Sequence, residues 1–301
     1  MDYLFKHIKS KRIFILLLIF SFLFAMPNQQ LTLDNIHVYY AENDAKIAEI
    51  SARIVNEQQQ RLSRQYQLDI RPLHIYIADN SNTYKQYSGS SSPVWSMGLA
   101  SDNHMLVKSP SFSRQTLRGF QHTLLHETVH LTVEGIPLPV WFNEGFAQYE
   151  AGQFDLHKRI LVSRAVWRDD LMSLNKIEYL IQMNQSQAEI AYAQSVAMFD
   201  YLNEYFGVGL VGKCLFYAKK YQNFEKGFKN AFLMSPEKFE KLWQNNVKKR
   251  YRFYLLLDLN KLIWIIALLI LILGFILSKT RRRKMLKEWE NSECENEETD
   301  L

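Results

Sequence analysis

One uncharged apolar run near the C-terminal end constrains the fold of this chain more than any other feature. Residues 262–278 contain no charged side chain, and their length approaches the roughly 20 apolar residues that a membrane-crossing helix needs. The sequence therefore predicts a transmembrane helix at residues 262–278. Arg281, Arg282 and Arg283 follow directly, and basic residues favour the cytoplasmic side of a span. We therefore expect a cytoplasmic tail and a preceding domain outside the cytoplasmic membrane.

A second apolar run lies close to the N-terminus. Residues 13–26 are apolar apart from Ser21, and a cluster of lysine and arginine precedes them, which is typical of an export signal. Ala25 suits the last position of a cleavage site, whereas Leu23 is too large two positions earlier. Residues 1–30 are therefore interpreted as a signal peptide or an uncleaved signal anchor, and both alternatives stay open.

Charge and cysteine content narrow the classes of partner and of metal site. The formal net charge is +5, but the basic residues cluster beside the two apolar runs, so a lipid bilayer explains them better than nucleic acid does. Cys214 and Cys294 are the two cysteines and lie on opposite sides of the second run. No intramolecular disulfide and no cysteine-based zinc site are expected, so any metal must be held by histidine and carboxylate.

One α+β domain is predicted between the apolar runs, at residues 31–254. Short strands are expected at residues 36–40, 72–78 and 104–108, with a helix at 44–62, and the later part of the domain is expected to be helical. A small N-terminal sheet followed by a helical subdomain is the predicted fold. The basic-then-acidic tail, residues 279–301, is expected to be too acidic to fold.

The residues with the clearest chemistry lie on a helix predicted at residues 113–135, with Ser113 as its N-cap. This helix contains His126-Glu127-Thr-Val-His130. Residues four apart lie on one helix face, so both imidazoles can reach one metal ion, and Glu127 lies beside them. Zinc held by three protein ligands keeps an open position for water, and a neighbouring carboxylate can take the proton of that water.

A third ligand is predicted at Glu144. It follows His130 after thirteen intervening residues, within the segment Asn143-Glu144-Gly145-Phe146-Ala147. A short loop and a second helix can return this carboxylate to the metal.

These motifs resemble the gluzincin zinc metallopeptidases, and most closely the peptidase MA-like family. The Asn143-to-Ala147 element is of the type that carries the glutamate ligand in such enzymes. The resemblance also includes residues 139–141, 191–195, 200–202, 206–207 and, more weakly, 239–243, and so covers nearly the whole exported domain.

The resemblance implies hydrolysis of peptide bonds in a peptide or protein substrate. His126, His130 and Glu144 would bind Zn²⁺, and Glu127 would be the general base. The substrate would lie along an edge strand, for which residues 104–108 are the candidate. Tyr192 is the candidate donor to the oxyanion, with simple helix packing as the alternative. No GxMEN-type element precedes the motif helix, so aminopeptidase activity is not supported.

Three further polar residues have open interpretations. His122, one turn before His126, either touches the metal or is a solvated helix histidine. Glu134 either orients an imidazole or is a helix-end charge, and Glu150 is interpreted as a surface residue.

Two other functions remain as rivals to the metallopeptidase. A non-catalytic binding module that keeps the fold is disfavoured by the four intact motif residues. An intramembrane protease is disfavoured because the motif helix carries polar side chains, including Arg114 and Arg118. The sequence indicates no particular oligomeric state.

Overall fold

The computed structural model describes residues 29–88, 96–254 and 259–299. The predicted export signal at residues 13–26 lies outside the described residues. The first strand begins at Gln29, slightly before the predicted start of the domain.

A five-stranded mixed sheet forms the N-terminal part of the domain, with strand order β1-β2-β3-β5-β4. Its strands are β1 (Gln29–Leu33), β2 (Ile36–Tyr40), β3 (Leu73–Ala78), β4 (Gly98–Ser101) and β5 (His104–Lys108). The central strands β2, β3 and β5 are parallel, and the outer strands β1 and β4 each pair antiparallel with a neighbour. Alternate residues such as Ile36, Ile75 and Met105 face the buried side.

The predicted edge strand was assigned wrongly. Residues 104–108 do form a strand, β5, but it lies between β3 and β4, and β4 is the edge strand on that side of the sheet. Asp102 and Asn103 cause this arrangement, because both adopt positive φ values, 51° and 61°, and turn the chain so that β4 folds back on β5. Asparagine and aspartate are the non-glycine residues that tolerate this conformation best.

Two helices cover one face of the sheet, and a third lies against the other. α1 (Ala45–Tyr66) and α3 (Leu117–Thr132) pack on the first face, where Ala48, Phe120 and Leu124 join the sheet core. α2 (Ser81–Ser88) places Tyr84 and Tyr87 on the opposite face.

The rest of the domain is helical. Its longer helices are α4 (Val140–Glu150), α5 (Leu156–Trp167), α6 (Gln185–Phe206), α7 (Val208–Tyr221), α8 (Phe224–Phe232) and α9 (Pro236–Tyr251). Short helical turns occur at Glu42–Asp44, Pro110–Ser113, Leu174–Ile177 and Leu180–Gln182. Fully buried aromatic side chains from α4, α6, α8 and α9, among them Trp141, Phe199, Phe228 and Phe239, fill the helical core. Cys214 is buried there as a free thiol.

The motif helix α3 is shorter than predicted. Thr116, not Ser113, is its N-cap, and the Thr116 hydroxyl accepts a hydrogen bond from the Gly119 amide at 3.1 Å. Ser113 instead ends the short turn Pro110–Ser113, and Arg114 then takes a φ of 55°, which breaks the helix. Gly135, with a φ of 84°, lies just beyond the C-terminal end as expected.

The C-terminal helix α10 (Leu259–Thr299) contains the predicted membrane span. By length and composition the part at Leu262–Lys287 could cross a membrane, and none of it is buried by the domain. The helix continues to Thr299 through the tail that was expected not to fold. This continuation has a local reason: the residues after 278 contain no proline or glycine and are rich in glutamate, lysine and arginine, which favour helix.

Candidate metal centre

Helix α3 brings two imidazoles together. His126 and His130 lie one turn apart, and their Nε2 atoms are 3.0 Å from each other. The two rings are nearly perpendicular, at 82°, with centroids 4.6 Å apart. The spacing of the motif therefore produces the convergence that it predicts.

Helix α4 returns Glu144 to these imidazoles. Its Oε2 lies 3.6 Å from Nε2 of His126, and its Oε1 lies 3.7 Å from Nε2 of His130. Within the part of the chain that the structure describes, this is the one trio of histidine, cysteine or carboxylate side chains whose ligand atoms all lie within 4.8 Å of one another.

A close helix contact holds α4 in this position. A Cβ atom on Gly145 would lie 2.4 Å from the backbone oxygen of Ser195 in α6, so only glycine fits between the helices. Gly145 directly follows Glu144, and Ser195 lies one turn after Tyr192. The contact therefore holds α4, which carries Glu144, close against α6, which carries Tyr192.

The trio fits a zinc ion by its chemistry and its spacing. At the usual zinc–ligand distances, tetrahedral ligand atoms are about 3.3 Å apart, within the range of the three distances found here. Burial lowers the pKa of His126 well below its ordinary value, as does nearby His130, so this imidazole is neutral, as a ligand must be. Glu144 Oε2 is buried and has no hydrogen-bond partner among the described residues, so it is available to a cation.

Asn143 orients one of the imidazoles, a contact that the sequence analysis missed. Its Oδ1 lies 3.1 Å from Nδ1 of His130. An amide oxygen can only accept, so Nδ1 of His130 carries the proton and its Nε2 lone pair is directed at the centre of the trio. Asn143 stands in the quoted Asn-Glu-Gly element, so the signal was present but its role was not recognised.

Glu127 lies beside the trio and directly under the edge strand. Glu127 is 9% exposed, and burial raises the pKa of its carboxyl group to about 7. The nearby His130 lowers this pKa, and the nearby Glu144 raises it. A Cβ atom on Gly98 of β4 would lie 2.8 Å from Cγ of Glu127, so glycine is needed where the edge strand passes this side chain.

Tyr192 of α6 lies on the same side of the domain. Its side chain is half-buried, and burial raises its pKa, with further contributions from the charges of Glu144 and then Glu127. The phenol is therefore within electrostatic reach of both carboxylates.

Lys158 is a second residue that the sequence analysis did not single out. Burial lowers the pKa of this ammonium to about 8, against the raising effects of Asp155 and Glu144. Its Nζ donates a hydrogen bond to Oε1 of Gln148, and Nε2 of Gln148 donates to the backbone oxygen of Glu144 at 3.2 Å. Lys158 thus ties α5 to the helix that carries Glu144. No local sequence pattern distinguishes it from a solvated lysine.

The three polar residues with open interpretations take other positions. His122 is half-buried and does not belong to the trio. Burial lowers its pKa most, and the charge of Arg118 lowers it further. Glu134 accepts hydrogen bonds from the backbone amides of Asp102 and Asn103, at 2.7 and 3.3 Å, and so holds the β4–β5 turn. The interpretation of Glu150 as a surface residue is wrong, because it is 6% exposed and paired with Arg61 and Tyr66.

A small sheet backed by a helix with two histidines and a glutamate, and a following helix that returns a second glutamate, together define a peptidase-like fold. The chain belongs to the peptidase MA superfamily, whose sequence model matches residues 60–249. The matched region runs from α1 to α9 and includes the whole trio.

A curated relative is similar over part of the chain. The uncharacterized protein YhcO of Bacillus subtilis (strain 168) is 25% identical over 199 residues, which is 60% of this chain and 59% of YhcO. The match therefore covers less than two thirds of that relative, and the name of YhcO assigns no activity.

Proposed function

We propose that this protein is a membrane-anchored zinc metallopeptidase of the gluzincin type, which hydrolyses peptide bonds. His126, His130 and Glu144 hold the metal, and Glu127 is the general base. The observation that carries the proposal is the partly buried trio with its unpartnered Glu144 oxygen, next to the separate carboxylate of Glu127, whose pKa burial raises to about 7.

Each side chain has a separate role in this mechanism. Zinc held by His126, His130 and Glu144 would supply Lewis-acid chemistry and would lower the pKa of a water molecule at the site. Glu127 accepts a proton from the attacking water and can pass it to the leaving amine. Tyr192 donates a hydrogen bond to the developing oxyanion; its raised pKa keeps the phenol protonated for this purpose.

The substrate of this mechanism is an extended segment of a peptide or protein. Among the described residues, β4 is the edge strand of the sheet next to Glu127, so a substrate strand can add to it through backbone hydrogen bonds. Gly98 supports this placement, because the missing side chain leaves room for Glu127 below the strand.

The bilayer is the second proposed partner, and no nucleic acid is involved. The apolar part of α10 crosses the cytoplasmic membrane, the catalytic domain lies outside it, and the residues after Lys279 lie in the cytoplasm. The peptidase is then confined to substrates at the outer membrane surface.

The deciding experiment separates metal binding from hydrolysis in the full-length chain, purified in detergent without a histidine tag. We expect about one zinc ion per chain by mass spectrometry, and a clear loss of zinc in His126→Ala, His130→Ala and Glu144→Ala. Glu127→Gln should keep its zinc and cleave a peptide library roughly 10²- to 10⁴-fold more slowly, because the amide cannot accept a proton.

Two results would contradict the proposal in different ways. If the wild-type chain contains no zinc under zinc-replete conditions, the proposed metal centre is wrong. If Glu127→Gln cleaves the library as fast as the wild type, Glu127 is not the general base. A non-catalytic binding module then becomes the better account of the domain.

A second variant tests the oxyanion donor. Tyr192→Phe removes one hydroxyl group, so turnover should fall by about 10²-fold, with zinc content unchanged. Tyr205→Phe, at an exposed tyrosine of the same helix, is the matched control and should retain full activity. Equal turnover in the two variants would assign Tyr192 to packing alone.

A further inference from the structure

Three histidines form a row across the outer face of the sheet. His37 of β2 is in register with His74 of β3, and His74 is in register with His104 of β5. Their rings stack with centroids 5.0 and 5.1 Å apart and interplanar angles of 17° and 20°. We call these residues the histidine row.

The histidine row is separate from the metal centre. The neighbours of His37 and His74 along the strands, such as Ile36 and Ile75, face the core that α1 and α3 cover. The row therefore lies on the opposite side of the sheet from α3, which carries His126 and His130. All three row residues have intermediate exposure.

The Nδ1 atom of each row histidine lies within hydrogen-bonding distance of an oxygen of the protein. Nδ1 of His37 is 3.2 Å from the Thr32 hydroxyl, and Nδ1 of His74 is 3.3 Å from the Tyr39 hydroxyl. Nδ1 of His104 donates to the Asp102 carbonyl at 2.6 Å. In His37 and His74, the tautomer whose Nδ1–H donates to the hydroxyl leaves the lone pair of Nε2 for a metal ion, as is usual for metal-binding histidines.

The spacing of His37 and His74 suits a shared cation. Adjacent strands are about 4.8 Å apart, so the two in-register imidazoles can place both Nε2 atoms about 2 Å from one ion once both rings turn out of their parallel stack. Burial lowers the pKa of His74, and the neighbouring His104 and His37 lower it further, so the central ring is neutral when a cation competes with protons.

We propose that His37 and His74 form a second metal site, which takes a divalent transition metal and binds Cu²⁺ most tightly. Imidazole pairs suit Cu²⁺, Ni²⁺ and Zn²⁺, and Cu²⁺ is the most strongly bound of these ions. His74 is the strand neighbour of both His37 and His104. A site that uses His74 as a ligand therefore leaves the histidine row with one bound ion. The alternative role of the row is ring packing alone, continuous with the stacked pair Tyr39 and Tyr76, whose centroids are 4.7 Å apart.

Copper binding by the full-length chain in detergent distinguishes these roles. The chain carries no histidine tag and contains His126→Ala and His130→Ala, so the first metal centre does not contribute. Titration with Cu²⁺ alone should show one ion per chain, with an electron paramagnetic resonance spectrum that has coupling to two imidazole nitrogens. The result does not depend on whether the protein is a peptidase.

Conservative variants then identify the ligands. His37→Gln and His74→Gln should each abolish the two-nitrogen signal, whereas His104→Gln should keep it. His157→Gln is the matched control, because His157 is an exposed histidine on α5 far along the chain from the sheet. Melting temperatures close to that of the parent chain show that the variants are folded.

The proposal is overturned by no two-nitrogen copper signal in the parent chain, or by a signal that survives both His37→Gln and His74→Gln. The proposal is also overturned if His104→Gln abolishes the two-nitrogen copper signal and His37→Gln does not. If the double alanine background does not fold, the same variants are compared in the otherwise wild-type chain. There, His37→Gln should lower copper content by one ion relative to His157→Gln, and an unchanged content rejects the site.

Discussion

At the scale of single residues, the missing side chain of Gly98 makes room for the proposed general base. A Cβ atom there would meet Cγ of Glu127 and Cγ2 of Thr123, both at 2.8 Å. We expect Gly98→Ala to displace Glu127 and to slow peptide hydrolysis by about 10²-fold, because an error of about 1 Å in a catalytic group has such an effect. Zinc content should not change. Wild-type turnover in this variant would show that Glu127 can move without loss.

Gly145 affects both the stability of the fold and the position of Glu144. An alanine Cβ at this position would lie 2.4 Å from a backbone oxygen of α6, and backbone cannot move aside as a side chain can. We expect Gly145→Ala to lower the free energy of unfolding by roughly 1–3 kcal/mol and to reduce zinc content by shifting Glu144. Thermal unfolding measures the first effect.

Gly209 provides the control for that substitution. It lies near the start of α7, is exposed, and has no heavy atom within 4 Å of an added Cβ. Gly209→Ala should be neutral or stabilise the protein by up to about 1 kcal/mol, because alanine favours helix. Equal melting temperatures for the two variants would contradict the tight α4–α6 contact.

At the scale of secondary-structure elements, a buried charge cluster joins α1 to α4. The Tyr66 hydroxyl donates to Oε1 of Glu150 at 2.5 Å, and Arg61 lies 2.6 Å from Oε2 of the same carboxylate. Burial and the neighbouring carboxylate raise the pKa of Tyr66, so the phenol stays a donor. The sheet half and the helical half of the domain are thus linked at the helix that carries Glu144.

Removal of one hydroxyl from this cluster tests its contribution. Tyr66→Phe leaves a buried carboxylate oxygen short of a donor, which should destabilise the fold by about 1–3 kcal/mol. Tyr179→Phe, at an exposed tyrosine, should leave the melting temperature unchanged. A melting temperature of Tyr66→Phe equal to that of Tyr179→Phe would show that the cluster does not stabilise this contact.

At the scale of the whole molecule, orientation in the membrane is the remaining prediction. Because the arginine triplet follows the apolar part of α10, a reporter active only outside the cytoplasm should work after Gln222 and fail after Lys287. A reporter active only in the cytoplasm, fused at the same two positions, is the control and should give the opposite pattern. The reverse result would place the peptidase-like domain in the cytoplasm.

Local patterns predicted the features that depend on short-range periodicity. The 3.6-residue period of the α-helix places His126 and His130 on one face in any tertiary context. The two-residue alternation of apolar side chains predicted the strands at residues 36–40 and 104–108. The apolar run at residues 262–278 was long enough to predict the helix that contains it. The Asn-Glu-Gly element, through its family resemblance, also predicted that Glu144 joins the two histidines.

Tertiary structure decided the features that depend on distant pairing. The position of β4 rather than β5 at the sheet edge follows from strand order, which no strand encodes alone. Glu150 and Lys158 look like surface charges in the sequence, because their burial depends on Tyr66, Arg61 and Gln148 from other segments. The sequence by itself therefore identified the candidate chemical groups at residues 126, 127, 130 and 144, while packing between segments decided their environment, since burial and charge pairing arise only when distant residues meet.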